Sequence, residues 1–485
     1  MGIVRKQAIS NTIVTYLGFA LGAINVLFLY THFITDAYFG LVNVIFSFSS
    51  LLMPIMALGV PNTLVKFYSG FVEKKEKDSF LFLMLLLPLV LILPIGVLSY
   101  FANEFIGDLL SKKNAIVKDY VWYIFILGVS LAYFEIFYAW AKIHMKSIFG
   151  NFLKELFCRL GTTILLLLVY FKAITADTFL IALIAMNVLR MLIMKIYVFT
   201  LHKPSLNKIV PKNIKSILSY SCLIILGGST AMVLLEIDKV MINHYIKIEN
   251  VAYYTVAGFM ASVIAVPSRA MHQITYPITA ALLNENNFKE LVILYKKTSL
   301  TLFSIAGFLF LLLLLNLEDI YTFLPKSYEA GFVIVIWIGF VKVYDALLGN
   351  NNSILFNSDY YRALLFFGVL LAIVTIVLNL WLIPSYGLKG AAIASFLAFF
   401  IYNSIKLGFV KQKFKMSPFS KQTLFVFLIL AVLGAIFYCI PFPFHPILAI
   451  ALKSSLLVII YITFLYKFKI SEDINTLINE FIQKK

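Results

Sequence analysis

Residues 217–246 read ILSYSCLIILGGSTAMVLLEIDKVMINHYI, a run long enough to cross a bilayer that nonetheless carries Glu236, Asp238 and Lys239. An ionisable group at membrane depth costs at least ~2.5 kcal/mol even on lenient insertion scales, so a cluster of them demands compensation. At about 100° per residue Glu236 and Lys239 share one face of a helix and can pair, whereas Asp238 points elsewhere. Pairing alone cannot satisfy all three, and a polar group must face Asp238. The competing reading is that they lie within roughly 9–12 Å of the outer interface and snorkel, a reach for which a carboxylate stem is short.

The flanking sequence is of the same kind. Hydrophobic residues make up 62% of the 485, charged residues 13%, and mean hydropathy is +0.95, which places the chain among polytopic membrane proteins. Apolar runs of about 20 residues recur from end to end, each able to cross ~30 Å of hydrocarbon as a helix. The expected fold is an all-α integral membrane protein of about 14 transmembrane helices. They fall near 10–31, 38–60, 79–101, 119–141, 151–171, 178–200, 216–245, 251–275, 298–317, 331–350, 363–383, 390–410, 422–440 and 446–466. Cys158, Cys222 and Cys439 stand singly in apolar runs, so neither a metal site nor a cofactor is expected. The opening MGIVRKQ precedes an apolar segment of about 20 residues without an A-x-A cleavage site, and reads as the start of a retained first helix.

Basic residues in the loops set the orientation. The termini and the even-to-odd loops hold roughly 25 Lys and Arg, among them Arg5, Lys6, Lys74, Lys75, Lys77, Lys203, Lys208, Lys212, Lys411, Lys413, Lys415 and Lys469. The opposite loops hold roughly 7, such as Lys112, Lys113, Lys118, Lys172 and Lys326, so both termini are expected in the cytoplasm. The net charge of +17 is mostly this bias together with attraction to anionic lipid. It is no sign of nucleic-acid binding, because the aromatic residues lie in the apolar runs. Sliding the chain by about 215 residues sets Asp36-Ala37-Tyr38-Phe39 on Val251-Ala252-Tyr253-Tyr254 and the loop 172–177 on 387–392. An offset of an even number of helices implies parallel repeats about an axis along the membrane normal. The expected organisation is a six-helix lobe over 1–200, a second over 201–415, and two accessory helices with a cytoplasmic tail over 416–485.

Residues 378–400, LNLWLIPSYGLKGAAIASFLAFF, carry the most specific short signal. Pro384 and Gly387 mark a short outer loop, and Gly390, Ala391, Ala392, Ala394 and Ser395 permit close helix packing in lipid. The pattern N-x-x-L-I-P-x-x-G-x-x-G-A-A-I-A, from Asn379 to Ala394, closely resembles the polysaccharide transporters of the multidrug/oligosaccharidyl-lipid/polysaccharide flippase superfamily. Ile237-Asp238-Lys239 resembles that family's I-D-[RK] element in the seventh helix, followed by Asn250 to Tyr254 where the family often has A-x-x-G-x-Y. Pro325 to Ala330 is similar to its G-x-x-[YF]-x-x-A loop, with Pro in place of Gly. Gly59-Val60-Pro61-Asn62 to Phe67-Tyr68 resembles the end of its second helix. The resemblance covers essentially the whole chain.

The resemblance implies a carrier that moves undecaprenyl-diphosphate-linked oligosaccharide from the cytoplasmic to the periplasmic leaflet of a bacterial inner membrane by alternating access, for surface polysaccharide synthesis. Membrane lipids and other polysaccharide-assembly proteins are its implied partners. Such cargo needs a cationic cavity, and the intramembrane bases are the candidates to line it. Arg190, Arg269 (after a kink at Pro267) and Lys342 sit too deep to snorkel easily. Arginine's planar fork suits bidentate phosphate contact. Arg159 and Lys239 complete the candidate substrate-binding set. Each has a competing role: Lys342 lies at i,i+3 spacing from Asp345, and Arg190 has Glu135 as a pairing candidate. Lys453, near an outer end, reads as a snorkelling residue. Asp238, Glu236, Asp345 and Glu135 are the groups that could titrate or hold a cation, with coupling to H+, to Na+ or to the membrane potential left open. Lys203, Lys208, Lys212 and Lys215 form a basic run before the seventh helix, read first as ordinary anchors.

Two rival transport functions and one enzymatic one compete. A lipid II flippase fits the helix count, but no arginine occurs in the first helix, where that family has basic residues. A multidrug exporter would have twelve helices and prefer cations. A membrane polymerase or ligase would act through large outer loops, whereas the longest here, about 102–118, has neither His nor Arg. No HExxH, GxSxG, P-loop or GxGxxG occurs, so the chain is not expected to be an enzyme.

Overall fold

The computed structural model describes residues 2–204, 213–468 and 470. Lys208, Lys212, Lys469 and the expected tail from 471 lie outside the described residues. Everything described is helical or connecting turn, with no strand. The chain divides into two compact units, Met1–Thr255 and Val256–Lys485.

The first unit holds α1 (Ile13–Phe33), α2 (Asp36–Met56), α3 (Val60–Phe67), α4 (Lys74–Phe101), α5 (Ala115–Ile143), α6 (147–170), α7 (Ala176–Leu201) and α8 (Ile214–Tyr245). Helix α5 packs on α2 and α7, and α8 runs along α2. Trp140, Phe134, Phe80, Met56 and Leu64 are fully buried there. Helix α9 (Glu249–Asn284) begins in this unit and ends in the next. The second unit continues with α10 (Phe288–Tyr321), α11 (Lys326–Leu347), α12 (Asn351–Asn357), α13 (Tyr361–Phe414), α14 (Lys421–Cys439) and α15 (Pro446–Lys467). Helix α10 is its axis and packs on α11, α14 and α15. Tyr461 of α15 stacks on Phe308 at 4.4 Å and donates its hydroxyl to the Ser304 carbonyl at 2.9 Å. The last two helices are thereby fixed to α10.

Eleven described helices are long and apolar enough to cross a membrane, or twelve with α8, which is bent by 49°. The expected fourteen are not reached on that measure, for two reasons. Residues 147–170 carry Lys154, Glu155 and Arg159, which lower their hydropathy. Helix α13 runs as one element of 54 residues, ~81 Å if straight and thus more than twice what a bilayer needs. Its backbone breaks at Gly387, with φ 58° and ψ −135°. A Cβ on Gly390 would stand 2.1 Å from the Leu382 carbonyl oxygen. Residues eight apart in a straight helix lie ~12 Å apart, so the chain doubles back here, at the Pro384–Gly387 turn read from the sequence.

Irregular backbone elsewhere also has local causes. Helical bonding tightens at Val263–Ala265, just before Pro267, whose missing N–H and fixed φ suit a helix start. Between α2 and α3, Leu58 and Gly59 are left-handed, with φ of 47° and 65°. A Cβ on Gly59 would meet the Ser221 carbonyl oxygen at 2.3 Å, so only glycine lets α8 come this close. The contact is sealed by a Thr63–Ser221 hydroxyl pair at 2.7 Å. Gly59→Ala is expected to cost at least ~2 kcal/mol and lower the thermal midpoint in detergent. Gly70→Ala, where a Cβ meets nothing within 4 Å, should leave it in place.

Where α5 and α7 end, the His144 ring stacks on His202 at 5.6 Å and meets Tyr68 edge-on at 5.5 Å, while His202 Nε2 bonds Asp78 at 2.5 Å. Burial, then His202 and Lys77, hold the His144 pKa below its ordinary 6.5. The folded chain therefore binds fewer protons at His144 than the unfolded chain, so this contribution is complete above about pH 6.5 and lost as pH falls below it. The thermal midpoint of His144→Asn should fall less between pH 7 and pH 5 than that of the unsubstituted protein; parallel curves would contradict this.

Candidate functional site

The charges of α8 find partners within the first unit. Lys239 Nζ lies 2.5 Å from Glu236 Oε2, and that oxygen also accepts the Ser47 hydroxyl of α2 at 2.7 Å. The side chains of Lys239 and Glu236 are only 16% and 19% exposed, so the pair is internal and does not snorkel. Asp238, on another face, is buried and accepts the hydroxyl of Tyr254 from α9. Tyr254 is the polar group that the α8 sequence demanded. It lies in the segment 251–254, which the internal repeat aligns with 36–39. The two segments also touch: Tyr253 donates to Asp36 Oδ2 at 2.9 Å, and a Cβ on Gly40 would stand 2.2 Å from the Ile248 carbonyl oxygen.

The end of α8 is held as well. Asn114 Nδ2 donates to the carbonyls of Asn243 and Ile246 at 2.7 and 3.0 Å, and its Oδ1 accepts the Ile248 N–H at 2.9 Å. Terminal carbonyls that a helix leaves unpaired are thus satisfied by one buried amide.

The remaining bases of this unit divide by burial. Arg190 is 6% exposed, lies with Cζ 4.1 Å over the Phe134 ring and beside the Cys158 thiol, and its Nε has no hydrogen-bond partner. Glu135 does not pair with Arg190, the partnership considered from sequence; its Oε1 takes Lys154 Nζ at 2.5 Å. Lys154 reaches it from the following helix, a contact that spacing along one helix cannot reveal. Arg190 is therefore a buried guanidinium with no carboxylate within 4 Å among the described residues, held by a ring face. Arg159 pairs with Glu155 at 3.1 Å and packs against Gly22 of α1, where a Cβ would stand 3.0 Å from Nη1. Glu135, Lys142 and Lys154 line a cavity of about 290 Å³ together with Asn62, Gly59 and Gly228.

The second unit gathers charge around α11. Lys342 and Asp345 do not form the pair that their spacing allows. Asp345 Oδ1 lies 3.9 Å from Lys406 Nζ of α13, and Lys406 is 1% exposed, donates to Asn352 Oδ1 at 2.9 Å and sits 4.2 Å over the Tyr402 ring. Lys342 faces the Phe399 ring at 5.7 Å and feels both Asp345 and Arg269, while His272 feels Asp345 and Lys406. Arg269 is exposed. Sequence reasoning missed Lys406, which lies inside the expected span 390–410 and was not singled out. Its signal is Tyr402 and Asn403 one turn earlier, polar groups on an otherwise apolar stretch. Lys453 also departs from expectation: it is held inside, 2.7 Å from the Leu315 carbonyl and 3.0 Å from Asp319 Oδ2, because α15 packs on α10.

In the second unit, then, Asp345 has Lys406 at 3.9 Å and lies within electrostatic reach of Lys342 and His272. An excess of cations at membrane depth attracts an anion.

Many spanning helices around buried charge define a polytopic helical membrane protein, and solved structures share its fold. The lipid II flippase MurJ in an inward closed conformation superposes with a TM-score of 0.77 at 17% identity, covering 95% of this chain and 100% of that one. An inward-facing multidrug resistance MATE transporter gives 0.58 at 13% identity over 81% and 97%. A Pyrococcus furiosus transporter of the superfamily, described as having reversed binding-pocket polarity, gives 0.58 at 14% over 90% and 96%. No curated protein matches the chain. The polysaccharide biosynthesis protein family model matches residues 4–283, and the chain belongs to that family.

Tyr254→Phe is expected to cost ~1.5–3 kcal/mol by removing a hydroxyl from a buried carboxylate, read as a lower thermal midpoint in detergent. Asp238→Asn in the same background should recover part of the loss; no recovery would show that Tyr254 acts on something other than the Asp238 charge.

Proposed function

We propose that the protein is a flippase that moves undecaprenyl-diphosphate-linked oligosaccharide from the cytoplasmic to the periplasmic leaflet of a bacterial inner membrane, with both termini in the cytoplasm. The observation that carries this reading is the excess of base within the spans: Arg190 buried on a ring face in the first unit, and in the second Lys406 buried beside Asp345, with Lys342 left without a carboxylate within 4 Å among the described residues. Cargo with a diphosphate supplies the missing negative charge, and family membership makes a lipid-linked saccharide the fitting class. Alternating access would carry the head group across while the lipid tail stays in the bilayer. Export of two negative charges across ~100 mV, cytoplasm negative, releases roughly 4–5 kcal/mol, so the membrane potential suffices without a coupling ion. Glu236 and Glu135, each in an ion pair, are then structural, and Asp345 is the carboxylate placed to respond to cargo.

The second reading is lipid II transport, favoured by superposition over the full length of MurJ. Against it stands the absence of any Arg or Lys in the apolar span Ile13–Phe33, the helix's Arg5 and Lys6 lying before it. A deletion strain separates the two. Accumulation of an undecaprenyl-linked non-peptidoglycan oligosaccharide on the cytoplasmic leaflet, with growth maintained, is expected. Lethal loss of peptidoglycan would promote the lipid II reading, and neither phenotype would remove both.

A further inference from the structure

The cationic cluster of the second unit contains its own competitor. Asp345 stands one turn beyond Lys342 on α11, a spacing at which a carboxylate and an ammonium readily pair. If they paired, the site would lose both a cation and its attraction for an anion. The structure shows a different arrangement. Asp345 turns to Lys406 on the neighbouring α13, and neither Lys342 nor Arg269 has a carboxylate within 4 Å among the described residues.

Three features make Lys406 suited to hold Asp345. It is 1% exposed, so its charge cannot be met by water, whereas the Asp345 side chain is 43% exposed and free to turn. Its ammonium is fixed by the Asn352 amide oxygen at 2.9 Å and the Tyr402 ring at 4.2 Å, neither of which carries a charge. The 3.9 Å separation from Asp345 exceeds the ~2.7–2.9 Å of a charge-assisted hydrogen bond, so the attraction is Coulombic and the carboxylate is drawn without being locked.

We propose that Lys406 is a positioning residue that draws Asp345 away from Lys342, leaving that cation to hold a phosphate or diphosphate group. This rests on reading the chain as a carrier of a lipid-linked diphosphate. Lys406 itself does not touch the anion; it sets how much of the cluster's positive charge the anion meets. Without it, Asp345 falls back on Lys342 and the site is neutralised from within.

The test measures binding of undecaprenyl diphosphate to the full-length protein in nanodiscs at fixed ionic strength, with undecaprenol as the uncharged control. Lys406→Met is expected to weaken binding of the diphosphate about tenfold. Lys406→Arg, which keeps the charge, should bind within about threefold of the unsubstituted protein, and Asp345→Asn should bind it about threefold more tightly. The decisive variant is Lys406→Met with Asp345→Asn: removing the unheld carboxylate restores binding, which a merely structural role for Lys406 would not produce. Unchanged binding by Lys406→Met, or a double variant as weak as Lys406→Met, overturns the inference and leaves the transport reading standing. If Lys406→Met does not fold, Asp345→Asn decides alone, since a tenfold loss there would make Asp345 a ligand contact. An unsubstituted protein that binds the diphosphate no better than undecaprenol would overturn both.

Discussion

An ionised side chain at membrane depth has no water to fall back on, and the architecture is arranged around that constraint. On α8 the demand is met locally and completely: Lys239 and Ser47 serve Glu236, and Tyr254 serves Asp238. Those partners come from α2 and α9, so satisfying the charges also dictates which helices lie beside α8. Electrostatics here selects packing, and packing hides the charges that would otherwise oppose insertion. The Asn114 amide extends the same logic to the backbone by closing the end of α8.

Elsewhere compensation is incomplete, and that difference separates structure from function. Arg190 rests on a ring with Nε unbonded, and Lys342 has no carboxylate within 4 Å among the described residues because Asp345 lies by Lys406. A chain that tolerates such imbalance gains nothing in stability from it, since an unpaired buried charge is costly. The imbalance makes sense when a ligand brings the opposite charge. The same physics explains why ion pairs such as Glu135–Lys154 and Asp319–Lys453 belong to the scaffold.

The backbone departs from regular helix at a few places, each where another segment must come close. The left-handed Leu58–Gly59 step admits α8, Gly40 admits the Ile248 carbonyl, and the Gly387 break with Gly390 folds the long α13 back on itself. In lipid, helices associate through close packing more than through hydrophobic burial, so small residues mark the contact points. Trimming these contacts with a single methyl group is therefore felt across a helix pair.

Fold class, the turn at Pro384–Gly387 and the family were all legible in the sequence, because they depend on local composition and spacing along one chain. So was the need for a partner facing Asp238, since helical periodicity alone separates it from Glu236 and Lys239. What periodicity cannot supply is the partner's identity when it lies on another helix. Spacing suggested Lys342 with Asp345, and Glu135 was a candidate partner for Arg190; tertiary packing brought Lys406 to Asp345 and Lys154 to Glu135 instead. It also drew Lys453 inward to Asp319. The sequence by itself determined that charges lie within apolar spans and need partners, and only the tertiary structure decided which of them are buried and which cancel, because Coulomb energy depends on distance in space and not along the chain.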